Sequence, residues 1–341
     1  MNSKLATATP RATGFSLVEL MISITIGLLL IAGMATLVSN NSAHRAELEK
    51  SSRQIENGRY AMQILSDDLR HAGYYGEYYE FGAVPATLPN PCSTTLADLS
   101  PALPLAVQGY DAPSSLPTAL ATCIGDANHV DGTDVLVVRR TSTLVNSSSL
   151  VAGRVYLQTR SDSYVLNDGS VAAATWNLKK KDGTTAADIR QLVVHVYFVS
   201  PCSVPASGTS CTGAADGGKP IPTLKRLELT SSGGTRSMVI TPLVEGIENL
   251  QIDYGTDSIG TGTPNNYVMS PADTTAWGNV VAARVQLVAR NVEATAGFAD
   301  SKSYDMGLAP DFSPDSSVQQ FKRHAYAQLV RLENPSARRE Q

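Results

Sequence analysis

Residues 15–38 form an apolar run of 24 positions in which Glu19 alone can ionise. As an α-helix rising 1.5 Å per residue, the run extends roughly 36 Å, enough to cross a hydrocarbon core of about 30 Å. A carboxylate in such a helix costs on the order of 2.5–3.5 kcal/mol at mid-bilayer and less near an end. A purely structural acid is a poor fit to that setting; one that waits for a partner fits better. Residues 1–14 carry Lys4 and Arg11 and no acid. The positive-inside rule therefore predicts a cytoplasmic N-terminus, with everything after about residue 40 outside the membrane. Val38-Ser39-Asn40-Asn41-Ser42 is a poor signal-peptidase site, and the helical pattern continues through it, which argues that the apolar run is retained.

The helix is expected to outlast the bilayer. Leu48, Ile55, Met62 and Leu69 fall at seven-residue spacing, with Leu65 beside them and charged residues between, as in an amphipathic helix with one apolar stripe. No proline lies between Pro10 and Pro85, so nothing forces an earlier stop, and Gly73 is a plausible end. A stripe of only about three heptads suits packing against the chain's own sheet better than a coiled coil.

About 270 residues remain, enough for one large domain or two small ones. Gly and Pro are frequent (26 and 18) and aromatics are 6% of the chain, which suits a loop-rich β domain. Residues 82–128 hold seven of the prolines and read as an irregular insert. Strand-like runs follow at 134–139, 154–158, 189–199, 224–230, 237–241, 249–254, 280–290 and 321–333. The clearest alternation sets Val281, Ala283, Val285, Leu287 and Ala289 against Arg284, Gln286 and Arg290, predicting an antiparallel sheet with one buried face. Loops at 200–220 and 255–279 are long and polar.

Cys92, Cys123, Cys202 and Cys211 all lie beyond the membrane run, where disulfides persist. Four cysteines permit three pairings; local closure favours Cys92 with Cys123 and Cys202 with Cys211. Zinc is the rival reading, but no Cys-x-x-Cys pair exists and no histidine neighbours a cysteine. The five histidines are isolated in sequence, and His195, alternating within a strand run, reads as a packed or surface residue. Residues 126–134 are rich in Asp and Asn but miss the EF-hand spacing, so a polar turn is preferred to a calcium loop. No metal or cofactor is expected. Gly-x-Ser-x-Gly, the P-loop and Gly-x-Gly-x-x-Gly are absent, and no catalytic residues are assigned. Net charge is −4 with no basic stripe, against nucleic-acid binding.

Gly14-Phe15-Ser16-Leu17-Val18-Glu19 resembles the class III signal of type IV prepilins and type II secretion pseudopilins. The resemblance implies that a prepilin peptidase cuts between Gly14 and Phe15 and methylates the new N-terminus at Phe15. It also implies that Glu19 is the assembly charge, pairing with the amine of a neighbouring subunit and relieving the burial of both. Further patches resemble PilW-type minor pilins. They are Glu56-Asn57-Gly58-Arg59-Tyr60-Ala61-Met62, residues 67–76, Pro222-Thr223-Leu224-Lys225-Arg226, residues 243–255, and the C-terminal stretch from Arg323-His324-Ala325-Tyr326 through Val330-Arg331-Leu332-Glu333-Asn334. Leu332-Glu333-Asn334 departs from the family's commoner Leu-Arg-Asn.

The implied fold is α+β and pilin-like: a long N-terminal helix, transmembrane then amphipathic, packed on an antiparallel sheet with loop inserts. The expected divisions are a leader at 1–14, a transmembrane and assembly helix at 15–40, a stalk helix at 41–73 and a periplasmic β-rich domain at 74–341. That domain includes the Pro-rich, disulfide-stapled insert at 82–128. The implied role is priming of pilus assembly in a tip complex with other minor pilins and the major pilin, a complex that can carry an adhesin. The protein would start as a single-pass inner-membrane subunit and end in the pilus, without enzymatic activity. The alternatives are a J-type secretion pseudopilin, or a tip adhesin whose loops at 82–128 and 200–220 bind ligand.

Overall fold

The structure, a computed structural model, describes residues 14–146 and 149–340. The chain divides into two compact units, residues 1–50 and 51–341. Helix α1 (Leu17–His71) spans 55 residues, beginning in the first unit and ending in the second. In the first unit it is the only regular element among the described residues.

Within the second unit, α1 buries one face. Ala61, Met62, Leu65 and Leu69 enter the core at helical spacing. The expected seven-residue stripe is corrected at its upper end: Leu48 and Ile55 are exposed, at 70% and 43%. Gln54 and Gly58 take the buried positions there instead. Gln54 satisfies its buried amide by donating to the Ala289 and Lys322 carbonyls at 2.8 and 3.0 Å, and a Cβ on Gly58 would overlap the Tyr326 ring. The helix stops before Gly73, whose φ of 70° places it in the left-handed region that favours glycine. The open carbonyls at this end are capped from the far end of the chain: Asn334 donates to Ala72 O at 3.1 Å and Arg338 to Gly73 O at 3.0 Å.

Thirteen strands follow among the described residues. A seven-stranded antiparallel sheet contains β1 (Val107–Tyr110), β2 (Val135–Thr141), β3 (Val155–Arg160), β4 (Ser163–Asp168), β5 (Ile189–Ser200), β6 (Thr223–Ser232) and β7 (Thr235–Glu245). Its order is β1-β2-β5-β3-β4, with β6 joined to β5 and β7 to β6. A second sheet has the order β13-β10-β8-β9, from β8 (Ile247–Thr256), β9 (Asn266–Val268), β10 (Val280–Arg290) and β13 (Arg323–Arg331). The hairpin of β11 (Tyr304–Met306) and β12 (Ala309–Phe312) stands apart. A helix at Glu333–Arg339 follows β13, with Pro335 in its first turn, where no intrahelical N–H bond is lost.

The expectation of a sheet with one buried face needs correcting. Val135-Leu136-Val137-Val138 in β2 is buried throughout, and its side chains alternate between two cores. Leu136 and Val138 join Met62, Leu65 and Leu69 of α1; Val135 and Val137 face the opposite way with Val194, Val196 and Phe198. What covers that second face is the Pro-rich segment 82–128, which is ordered rather than irregular. It supplies α2 (Leu96–Ala102), β1 and a turn of helix at Thr118–Ala121, and it buries Leu99, Leu103, Leu116, Leu120 and Ile124. Proline spacing signals turns, but it says little about whether the apolar residues between them reach a core. Strand β10 is likewise buried on both faces: Gln286 is 2% exposed and donates to Asp253 Oδ2 at 3.0 Å.

Candidate functional site

Two arrangements carry chemistry, one in each unit. In the first, the apolar side chains of residues 15–38 are exposed, from Phe15 at 87% through Leu29 at 73% to Val38 at 66%. The most apolar 18-residue window of α1 has a mean hydropathy of 2.3 and no part of it is buried, so the helix is long and apolar enough to cross a membrane. The hydroxyls of its residues 17–38 bond the helix's own carbonyls. Ser23 donates to Glu19 O, Thr25 to Met21 O and Ile22 O, and Thr36 to Gly33 O. Self-satisfaction of this kind lets polar side chains sit in an apolar medium.

Glu19 is engaged locally. Ser16 precedes the first helical residue, and its backbone N–H donates to Glu19 Oε2 at 3.1 Å. Ser16-Leu17-Val18-Glu19 thus has the S-x-x-E spacing of a capping box, with the N3 carboxylate reaching back to the N-cap amide. The negative charge also faces the positive end of the helix dipole. Gly14 and Phe15, the expected cleavage pair, are exposed and lie outside α1. Lys4 and Arg11 of the expected leader lie outside the described residues.

The second arrangement pins α1 to the head. Asp68, 6% exposed, receives Arg140 Nε of β2 at 2.5 Å on Oδ1. Its Oδ2 takes His195 Nδ1 at 2.7 Å and the Tyr197 hydroxyl at 2.8 Å, both from β5. Burial pushes the Asp68 carboxyl up, but the hydrogen bond and charge of His195, with the charge of Arg140, hold it well below the usual range. His195 is packed, one of the two placements that its strand position left open. A matching clamp ties the second sheet to the loop before β11. Arg323, with a wholly buried side chain, meets Glu248 at 2.5 Å and Asp300 at 3.3 Å, and Tyr304 donates to Asp300 at 2.8 Å. Neither cluster was anticipated from sequence; each joins residues far apart in the chain, for which no local pattern exists.

The cysteines are bonded as Cys92–Cys123 and Cys202–Cys211, with no free thiol. Asp126 and Asp134 do not converge on a metal-like centre. Asp126 accepts from Leu116 N at 2.7 Å, while Asp134 accepts from Ala112 N and Ile252 N at 2.8 and 2.7 Å, joining β8 to the segment after β1. Among the described residues, no three potential metal ligands gather. The loops considered for ligand binding are used internally: 82–128 covers the sheet, and in 200–220 the Asp216 carboxylate collects the amides of Ser203, Val204 and Ile221. A cavity of about 450 Å³ lies elsewhere, bordered by Val145, Leu150, Val171, Trp176 and Ile189.

Comparison with known families gives two matches. Residues 9–35 match the prokaryotic N-terminal methylation motif, and residues 208–334 match the family of type IV pilus-assembly protein W. No curated protein and no solved structure matches the chain. The first match covers the capped start of α1 and most of its apolar run; the second covers the second sheet and the Glu248–Arg323–Asp300 clamp. With the α+β fold of a long apolar helix and antiparallel sheets, they support a type IV pilus minor pilin of the PilW family.

Proposed function

We propose that this chain is made as a prepilin, cut after Gly14 and N-methylated at Phe15 by the prepilin peptidase, and then primes pilus assembly. In this reading it waits in the inner membrane, spanning it once with the N-terminus cytoplasmic and the head periplasmic. It then joins other minor pilins in a tip complex, ahead of the major pilin, where an adhesin can be carried. The chain is a substrate of processing and a structural subunit, and no reaction is assigned to it.

The observation that carries this reading is the exposed apolar surface over residues 15–38 with a single carboxylate at its first turn. Such a surface needs lipid around it before assembly and sister helices after it. Glu19 already accepts the Ser16 amide, so a cationic amine created at Phe15 of a neighbour would meet a carboxylate held at a helix start. A secretion pseudopilin would share these N-terminal features, whereas the match over 208–334 to a pilus-assembly family favours the pilus. The adhesin alternative is weakened by the internal use of both candidate loops.

Processing is tested with Gly14→Ala in cells that contain the peptidase. N-terminal sequencing is expected to start at Phe15 in the wild type and to read the leader in the variant. A variant that still begins at Phe15 would refute the cleavage assignment.

A further inference from the structure

We propose that the outer edge of β7 is a strand-addition site for an extended segment of a different pilus subunit, an inference that rests on the pilus-assembly reading above. Strand β7 spans 11 residues and, among the described residues, pairs only with β6. The hairpin between them turns on Gly233 and Gly234, with φ of 58° and 79°, the positive pair of a two-residue type I′ loop. Ser232 and Thr235 flank that loop and form its first pair, so they exchange both ladder hydrogen bonds. Alternation along an antiparallel ladder then assigns inward bonds to Ser237, Val239 and Thr241. The N–H and C=O groups of Arg236, Met238 and Ile240 point outward. Among the described residues, no hydrogen bond reaches these outward groups.

Protected edges carry covers, charges or prolines. The edge strand β4 has its Tyr164 hydroxyl bonded to Ser100 of α2 at 2.7 Å, and β13 lies against α1 through Tyr326 and Gln328. On β7, Pro242 and the bulge at Leu243 beside it close the far end only. Between them and Arg236 runs Ser237-Met238-Val239-Ile240-Thr241, uncharged, rich in β-formers, and with Val239 40% exposed. An open stretch of this composition invites pairing by another chain.

The occupant is an extended polypeptide, because only a strand complements alternating amide and carbonyl groups along an edge. It comes from a different subunit because β7 against β7 would be a two-fold contact, which closes on itself and cannot propagate a filament or its end.

The test places the photo-crosslinking residue p-benzoylphenylalanine at position 239 of the full chain in piliated cells. The expected adduct, identified by mass spectrometry, is with another prepilin-type subunit. Met238→Pro removes an outward N–H without breaking a β6–β7 bond; loss of that bond and strain on the added strand should lower the adduct by roughly tenfold or more. Val239→Lys leaves the backbone intact and should lower co-purification of the same subunit by a similar factor, which keeps the test open should the proline variant fail to fold. Intact Cys92–Cys123 and Cys202–Cys211 bonds report folding in each. No adduct with any pilin, an adduct only with a second copy of this chain, or an adduct and co-purification unchanged in the folded variants would each overturn the proposal. If deleting the chain leaves pilus number unchanged, the assembly reading itself fails. If deletion abolishes pili and both variants restore them, strand addition alone fails.

Discussion

The Ser16 amide and the Glu19 carboxylate are bonded within one subunit at 3.1 Å, so the one acid within the matched residues 9–35 also caps the helix that carries it. The capping bond lies within the subunit, and the proposed pairing with a neighbour's amine would place a second role on the same side chain. The two can be separated, because a capping bond needs only an acceptor oxygen whereas pairing with an amine needs the negative charge.

Glu19→Gln keeps the acceptor and loses the charge; Glu19→Ala loses both. Loss of a cap costs about 0.5–2 kcal/mol in a helix start. Both variants should accumulate in the membrane, and pilus number should fall in both if the charge is what assembly uses. Electron-microscopic counts in a strain without redundant minor pilins decide the matter. Normal piliation with Glu19→Gln would show that the cap, and not the charge, is what the motif supplies.

Two buried acids should give the head opposite responses to pH. Asp68 is held below the usual carboxylate range, burial notwithstanding, by His195 and Arg140. Its contribution is therefore present above an unfolded pKa of about 3.9 and lost as pH falls below that value. Asp134 goes the other way. Burial pushes it up to about 7, the amides of Ala112 and Ile252 pull it down, and the charges of Asp111 and Asp253 raise it. Between about pH 4 and 7 the unfolded chain has released a proton that the fold retains, so stability declines by up to ~1.4 kcal/mol per pH unit. Relative to wild type, Asp134→Asn should gain stability as pH rises from 5 to 7. Urea unfolding of the full chain in detergent measures the gap; a gap independent of pH means that Asp134 is already ionised in the fold.

Much of the architecture was legible because its signals are local. The apolar run over 15–38, the stop near Gly73, the alternation of β10 and the short-range cysteine pairs each needed only neighbouring residues. Contributions that depend on distant partners were not legible. The burial of Gln54 depends on carbonyls at Ala289 and Lys322, and Asp68 could not be told from its exposed neighbour Asp67 until β2 and β5 arrived. The capping box is a different case. Ser16 and Glu19 stand at the capping-box spacing, but a carboxylate inside an apolar run points to the membrane first, and the spacing alone does not show that the helix begins at Leu17.

The disulfides should contribute unequally. Cys92–Cys123 closes a separation of 31 residues and Cys202–Cys211 one of 9. In the chain-entropy description the longer loop is worth roughly 3.5–4 kcal/mol and the shorter roughly 2.5–3. Cys92 also tethers the segment that buries Leu116, Leu120 and Ile124 against the sheet. Paired Cys→Ser variants, compared by urea midpoint, should rank Cys92/Cys123 as the costlier loss. The reverse order would mean that the 200–220 loop, with its Asp216 amide cluster, restrains the head more than the Pro-rich segment does.

Gly58 offers a test of how α1 meets β13. In an exposed helix interior, Gly→Ala stabilises by about 1 kcal/mol through reduced backbone freedom. Here the added methyl would overlap the Tyr326 ring, whose hydroxyl donates to Ile55 O at 3.3 Å. Overpacking of this kind costs about 1–3 kcal/mol, so Gly58→Ala should destabilise the wild-type chain. In a Tyr326→Ala background the obstruction is gone and the helix term alone remains, so the same change should stabilise by about 1 kcal/mol. The prediction is a reversal of sign, read as the coupling energy of a double-mutant cycle. Equal effects in the two backgrounds would mean that the Tyr326 ring does not rest on the helix at Gly58.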